Sequence, residues 1–319
     1  MSKVDDRPTI IIREVGPRDG LQMVKEVMPT AVKLRWIAAM VVAGLREMEV
    51  ASFVPAALMP QMADAAEVVA KTREAYPSLQ AIALVPNLRG ARTAAAAGAR
   101  KLLIPVSASE AHSLANVRKT TTDQIATVGQ ITAWARTCDS ALTIEAAIST
   151  AFGCSLQGVV AERDVVSIAA ALANVGVDRV ILADTLGYAT PSQIRRLVRA
   201  AQAEIGAGLL GNLHLHDTLG MGFANVSAAL QEGIVGFDSA LGGLGGCPFA
   251  PGSVGNINTE DLVYLLESEG FDTGIDLSAL LEARELLRRA LPKEKLYGRV
   301  AAAGIPKTYK VDNQIRGRQ

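Results

Sequence analysis

Two of the chain's three histidines, His214 and His216, stand two residues apart in Asn212-Leu-His-Leu-His-Asp217. Side chains alternate across a strand, so this spacing turns both imidazoles to one side. Two imidazoles held together suit a single divalent cation whose shell is completed by oxygen donors. The best-placed oxygen donors are Asp19, in Arg13-Glu-Val-Gly-Pro-Arg-Asp-Gly-Leu-Gln22, and Asn256, after Gly255. Such a ligand set accommodates Mg2+, Mn2+, Co2+ or Zn2+, with Mg2+ or Mn2+ expected. Arg18, beside Asp19, would hang near the same cation, where its fixed fork of donors could hold a carbonyl oxygen as it becomes an enolate. Glu49 either orients Arg18 or simply buttresses a strand end. Asp184 closes Ile181-Leu-Ala-Asp184. Cys247 lies in the glycine-dense stretch Gly242–Gly252. No Gly-Lys-Ser/Thr follows it, which excludes a nucleotide-phosphate cradle of that type. Its thiol reads either as an acid or base on a mobile loop or as a small buried hydrophobe. His112 is expected at the surface or at a helix start, and Cys138 and Cys154 in packing roles.

The elements that must position these groups follow from hydrophobic patterning. Short segments rich in β-branched residues predict strands at Thr9–Val15, Glu47–Ser52, Ala81–Val85, Lys101–Val106, Leu142–Ser149, Arg179–Ala183, Leu210–His216 and Gly236–Leu241. Helical patterns fill the gaps at Thr30–Ala43, Met62–Ala75, Leu88–Gly98, Asp123–Cys138, Gly158–Gly176, Pro191–Ile205, Gly222–Gly233 and Thr259–Gly270. Eight βα units in about 270 residues predict an α/β fold, the (β/α)8 TIM barrel, with its site at the C-terminal ends of the strands. Arg18, Asp19, Glu49, Asp184, His214, His216, Cys247 and Asn256 all fall at that face. Residues 1–275 are expected to form the catalytic barrel. Residues 276–319 would be a short C-terminal extension, a helix at Leu277–Leu291 and then a polar tail, packed on it.

Composition narrows the function. Lys and Arg total 32 against 32 for Asp and Glu, which excludes binding to nucleic acid or an anionic membrane through bulk charge. No apolar run approaches the roughly 20 residues needed to cross a bilayer. Three widely spaced cysteines form no disulfide framework, so a reducing, cytoplasmic setting is expected.

Taken together, these stretches resemble the hydroxymethylglutaryl-CoA lyase family of metal-dependent barrels. Val15-Gly-Pro-Arg-Asp-Gly-Leu-Gln22, Glu49-Val-Ala-Ser-Phe-Val-Pro55 with Pro60-Gln-Met-Ala-Asp64, Asp184-Thr-Leu-Gly187, His214-Leu-His-Asp-Thr218 and Gly243-Leu-Gly-Gly-Cys-Pro-Phe249 carry the likeness. The resemblance implies a divalent metal on Asp19, His214, His216 and Asn256, with Arg18 stabilising a thioester enolate and Cys247 donating a proton. It also implies Glu49 and Asp184 at the site, with His214 or Asp184 as the base. The reaction implied is retro-Claisen cleavage of 3-hydroxy-3-methylglutaryl-CoA to acetyl-CoA and acetoacetate. An acyl-CoA substrate follows, with Lys25 a candidate for gripping its nucleotide, and a homodimer is expected. Two positions depart from the pattern: Glu145 and Ala147 stand where the family usually has arginine and an aromatic. They leave open a citramalyl or longer branched 3-hydroxyacyl-CoA. A Claisen-condensing 2-oxo acid synthase is the more distant alternative.

Overall fold

A computed structural model describes residues 7–138, 141–246 and 255–309. Eight parallel strands, β1 (Ile11–Glu14), β2 (Glu47–Ser52), β3 (Gln80–Leu84), β4 (Lys101–Ser107), β5 (Thr143–Ser149), β6 (Arg179–Asp184), β7 (Leu210–Leu215) and β8 (Gly236–Ser239), close in sequence order into a barrel. Closure pairs Arg13 of β1 with Asp238 of β8. Around it run α1 (Thr30–Val42), α2 (Ala65–Ala75), α3 (Leu88–Ala96), α4 (Glu110–Val117), α5 (Thr121–Cys138), α6 (Glu162–Asn174), α7 (Pro191–Ile205), α8 (Gly222–Gln231) and α9 (Thr259–Ser268). The predicted barrel and its strand order are therefore present. The extra helix α4 begins where the Ser109 hydroxyl accepts the His112 amide, a cap that satisfies one free N–H of the first turn. No described helix is long and apolar enough to cross a membrane.

Two helices follow the barrel. α10 (Leu277–Ala290) is capped by the Asp276 carboxylate, which accepts the amides of Ser278 and Ala279, and it buries Leu277, Leu280, Ala283 and Leu287. α11 (Arg299–Ala303) lies within the segment read from sequence as polar tail, where its first amides donate to the Asp261 carboxylate at 2.7–3.0 Å. The same segment props the glycine loop: the Tyr297 amide donates to the Gly242 carbonyl at 2.7 Å, and Arg284 bridges the Tyr297 carbonyl and Glu260.

The main core lies between strands and helices, as a barrel sheet covered on its outer face requires. The bore is filled differently. A small apolar cluster of Ile82, Leu103 and Ile181, with Ala147 against it, stands apart from the main core. Below the mouth, Arg13 on β1 reaches Glu145 on β5 at 2.8 Å, a contact that two strands on opposite sides of a closed barrel make only through its interior. Lys101 joins them, 3.3 Å from Glu145 and 3.1 Å from Glu47, which also pairs with Arg13. Glu145 is thus neutralised deep in the bore.

Glu14 faces outward beside Arg13 and ties three chain segments together. Its carboxylate accepts the Gly16 and Leu241 amides at 2.9 Å and the Thr259 hydroxyl at 2.7 Å. Burial outweighs these donors and pushes its pKa up to about 8. Because the folded value lies above the ordinary carboxylate value, the stability this group contributes is present at acid pH and is lost as pH rises toward 8. Melting temperature should therefore fall between pH 6 and pH 9 in the wild type and fall less in Glu14→Gln. Thermal melts with the same slope in both proteins would contradict this role.

Candidate active site

The first-strand motif leaves β1 as a single π-helical turn, Gly16–Gly20, in which the amides of Arg18, Asp19 and Gly20 all point at the Val15 carbonyl. Such turns recur at functional sites because they redirect side chains within one turn. Glycine is needed at position 16, where a Cβ would stand 2.9 Å from the Trp36 ring. The turn aims Arg18 and Asp19 into the mouth. Arg18 Nη1 donates to Asp19 Oδ1 at 2.7 Å, and the rest of its guanidinium grips Glu49 Oε2, with Nε at 2.5 Å. Glu49 is fully buried at a register shift of β2 against β3, and its other oxygen has no hydrogen-bond partner. Burial raises the Glu49 carboxyl even against the Arg18 charge.

On the opposite side, strand alternation brings the two imidazoles together as expected. His214 Nε2 and His216 Nε2 are 3.1 Å apart, and Asp19 Oδ2 lies 4.0 Å from His214 Nε2. One donor atom from each of Asp19, His214 and His216 lies within 4.8 Å of the others. Asn256 arrives by backbone pairing: the segment 255–257 bonds to the end of β7, placing Asn256 opposite His216. Its amide donates to Asp19 Oδ2 at 2.8 Å, while its own Oδ1 is buried without a partner. Gly245, at φ +122°, permits this approach, since a Cβ there would lie 2.8 Å from the Asn256 amide nitrogen.

Electrostatics favours the ligating forms of Asp19 and His216, whereas at His214 burial is outweighed by the Asp238 hydrogen bond and the nearby carboxylates, which raise the imidazole. Burial alone would raise the Asp19 carboxyl, but Arg18 foremost, then the two imidazoles and Asn256, hold its pKa down at about 2. Burial, reinforced by His214, lowers the His216 pKa to about 3, leaving a neutral ring with one nitrogen lone pair to offer. Two adjacent imidazoles, a carboxylate and an orphaned buried amide oxygen are donors that a divalent cation satisfies together, so these residues fit one.

Other expected residues are placed differently. Asp184 is buried at the end of β6, but its oxygens accept the Tyr188 and Ala189 amides at 2.9 and 3.1 Å, so it caps its own loop. Burial raises its pKa to about 6. Lys25 is exposed on the loop beyond the π turn. Cys247 lies outside the described residues; the glycine loop is described as far as Gly246. His112 does begin a helix but is buried rather than at the surface, with Nδ1 2.6 Å from the Ser107 hydroxyl.

Sequence reasoning missed one group in contact with the site. Asp238 on β8 lies 3.3 Å from His214 Nδ1 and accepts the Asn212 amide at 2.9 Å. Burial would raise its carboxyl, but Arg13 and these hydrogen bonds hold it below the usual carboxylate range. The available signal was a charge within a short strand, Phe237-Asp-Ser239, of an otherwise buried parallel sheet.

Known proteins resemble this chain over most of its length. The HMGL-like family matches residues 9–287. The chain is 39% identical to the cytoplasmic 3-hydroxy-3-methylglutaryl-CoA lyase of Mus musculus over 282 residues, 88% of this chain and 81% of the relative. It is 40% identical to the (R)-citramalyl-CoA lyase of Chloroflexus aurantiacus over 291 residues, 88% of this chain and 91% of the relative. A solved HMG-CoA lyase from Acinetobacter baumannii, in complex with coenzyme A and 3-methylmalate, superposes with a TM-score of 0.88 at 37% identity, covering 98% of this chain and 99% of that one. With its barrel, its paired histidines and this extent of likeness, the chain belongs to the HMGL-like family.

Proposed function

We propose that this protein is a metal-dependent carbon–carbon lyase that cleaves 3-hydroxy-3-methylglutaryl-CoA to acetyl-CoA and acetoacetate. The observation that carries the reading is the convergence of Asp19, His214 and His216 donors within 4.8 Å, with Arg18 hydrogen-bonded to Asp19. Asp19, His214, His216 and Asn256 would hold the cation, and their donors accommodate Mg2+, Mn2+, Co2+ or Zn2+. Bound there, it would acidify the substrate's tertiary hydroxyl and fix its oxygens.

The chain's own residues supply the rest. The hydroxyl proton passes to a base, the C3 oxygen becomes a ketone, and the C2–C3 electrons move onto the thioester as an enolate. Of the two base candidates, Asp184 has both oxygens occupied by loop amides, and His214, with Nδ1 turned to Asp238, can take the proton only at Nε2 while that nitrogen is free of the cation. Arg18, fixed by Glu49, holds the enolate oxygen. Cys247 returns a proton to C2 from the glycine loop, so Cys247→Ala should lower turnover about 100-fold while metal content is retained. Unchanged turnover in that variant would remove the thiol from the mechanism.

A second reading, the same cleavage of a citramalyl-type thioester, is favoured by the Chloroflexus aurantiacus relative and by Ala147, a small, partly exposed residue on the inward face of β5. A panel of 3-hydroxyacyl-CoA thioesters assayed with metal separates the two. Acetoacetate from the hydroxymethylglutaryl thioester supports the first reading, and absence of product from every thioester would sink both. A cytosolic setting fits the free thiols of Cys138 and Cys154, and a homodimer is the expected assembly.

A further inference from the structure

The bore beneath the histidines holds a run of paired charged groups that links β5 to His214. It starts on β5 with Glu145, 2.8 Å from Arg13 Nη2. Arg13 Nε lies 3.8 Å from Asp238 Oδ1. Asp238 Oδ2 is 3.3 Å from His214 Nδ1, and Asn212, two residues before His214, donates to Asp238 Oδ1 at 2.9 Å. All four charged or polar partners, Arg13, Asn212, Asp238 and Glu145, are buried.

Hydrogen-bond chemistry gives this chain a direction. An ionised carboxylate only accepts, and Arg13 and Asn212 only present donors to Asp238. His214 must therefore present Nδ1–H to it, which leaves the Nε2 lone pair facing His216 and Asp19. Carboxylates in this position fix the tautomer and orientation of metal-binding histidines. The carboxylate itself needs anchoring, and the anchor is Arg13, held in turn by Glu145 and Glu47.

We propose that Asp238 is the positioning residue for His214, and that Glu145, from the far wall of the bore, keeps it in place through Arg13. Glu145 thereby sets how tightly the protein holds its cation from a position that touches neither the cation nor a ligand. The inference rests on reading Asp19, His214 and His216 as the metal site, and one of its tests does not depend on that reading.

The first test is the His214 ring in metal-free, uniformly 15N-labelled protein, where only three histidines contribute. The wild type should show the Nδ1–H tautomer for His214. Asp238→Asn, which is isosteric and can turn its amide donor toward Nδ1, should show Nε2–H. The second test is calorimetric titration with Mn2+. Asp238→Asn should bind about 10- to 100-fold more weakly than the wild type, and Glu145→Gln should bind more weakly by a smaller factor. An Nε2–H tautomer in the wild type, or Mn2+ affinity in Asp238→Asn within twofold of wild type, would overturn the proposal. Absence of Mn2+ binding by the wild type would refute the metal-site reading instead, with the tautomer result still deciding the role of Asp238. If Asp238→Asn fails to fold, equal Mn2+ affinity for the wild type and Glu145→Gln overturns the long-range part.

Discussion

Replacing Arg18 with glutamine is expected to lower turnover on the thioester about 1000-fold while bound metal stays near the wild-type level. The guanidinium is the one cation hydrogen-bonded to both Asp19 and Glu49 among the described residues. An oxyanion donor preorganised in a buried site contributes most in the transition state, where the charge develops, and losing one costs about 10²–10³ in rate. The loss should fall on kcat more than on KM, because the ground-state thioester carries no such charge. Glutamine is chosen because it still donates to Glu49. Arg18→Met would leave the Glu49 carboxylate buried and unpaired, at a cost of about 3–5 kcal/mol in stability, and would confound the kinetics. The double variant Arg18→Gln/Glu49→Gln removes that penalty; if its kcat approaches the wild type, Arg18 serves only as a strand-end ion pair.

His216→Ala should abolish activity by a different route, through loss of the cation. His216 is a deeply buried donor, with a lowered pKa that keeps the ring neutral and ready to ligate. Removing a ligand outright should exceed the 10- to 100-fold affinity loss typical of disturbing the groups behind ligands. Elemental analysis after dialysis should find the variant nearly metal-free under conditions where the wild type retains its ion. Full occupancy with lost activity would instead make His216 a group that acts on substrate.

Much of this site was legible before folding because its key pairs are local. The His214/His216 spacing works through strand alternation, and Arg18 and Asp19 are neighbours that a single π turn presents together. The eight strands were legible for the same reason, since each is a short apolar run between helical patterns, and boundaries moved by only a residue or two. The Arg13–Glu145 pair was not legible, because its partners are 132 residues apart and meet only after the barrel closes. Asp238 stayed hidden behind the same closure. Asp184 was legible as a strand-end carboxylate; that its oxygens also cap loop amides was not, because those amides reach it only once the loop has folded. α11 escaped notice because five residues carry too little periodicity to declare a helix, and its first amides depend on Asp261 from another element.

The most direct measurement is diffraction from Mn2+-soaked crystals, with the ion located by its anomalous signal. The account predicts one strong peak among Asp19, His214, His216 and Asn256, at the Asp19 Oδ2 that faces His214 rather than the Oδ1 held by Arg18. A peak elsewhere in the barrel, or density at these four residues that stays bare at saturating Mn2+, would contradict it.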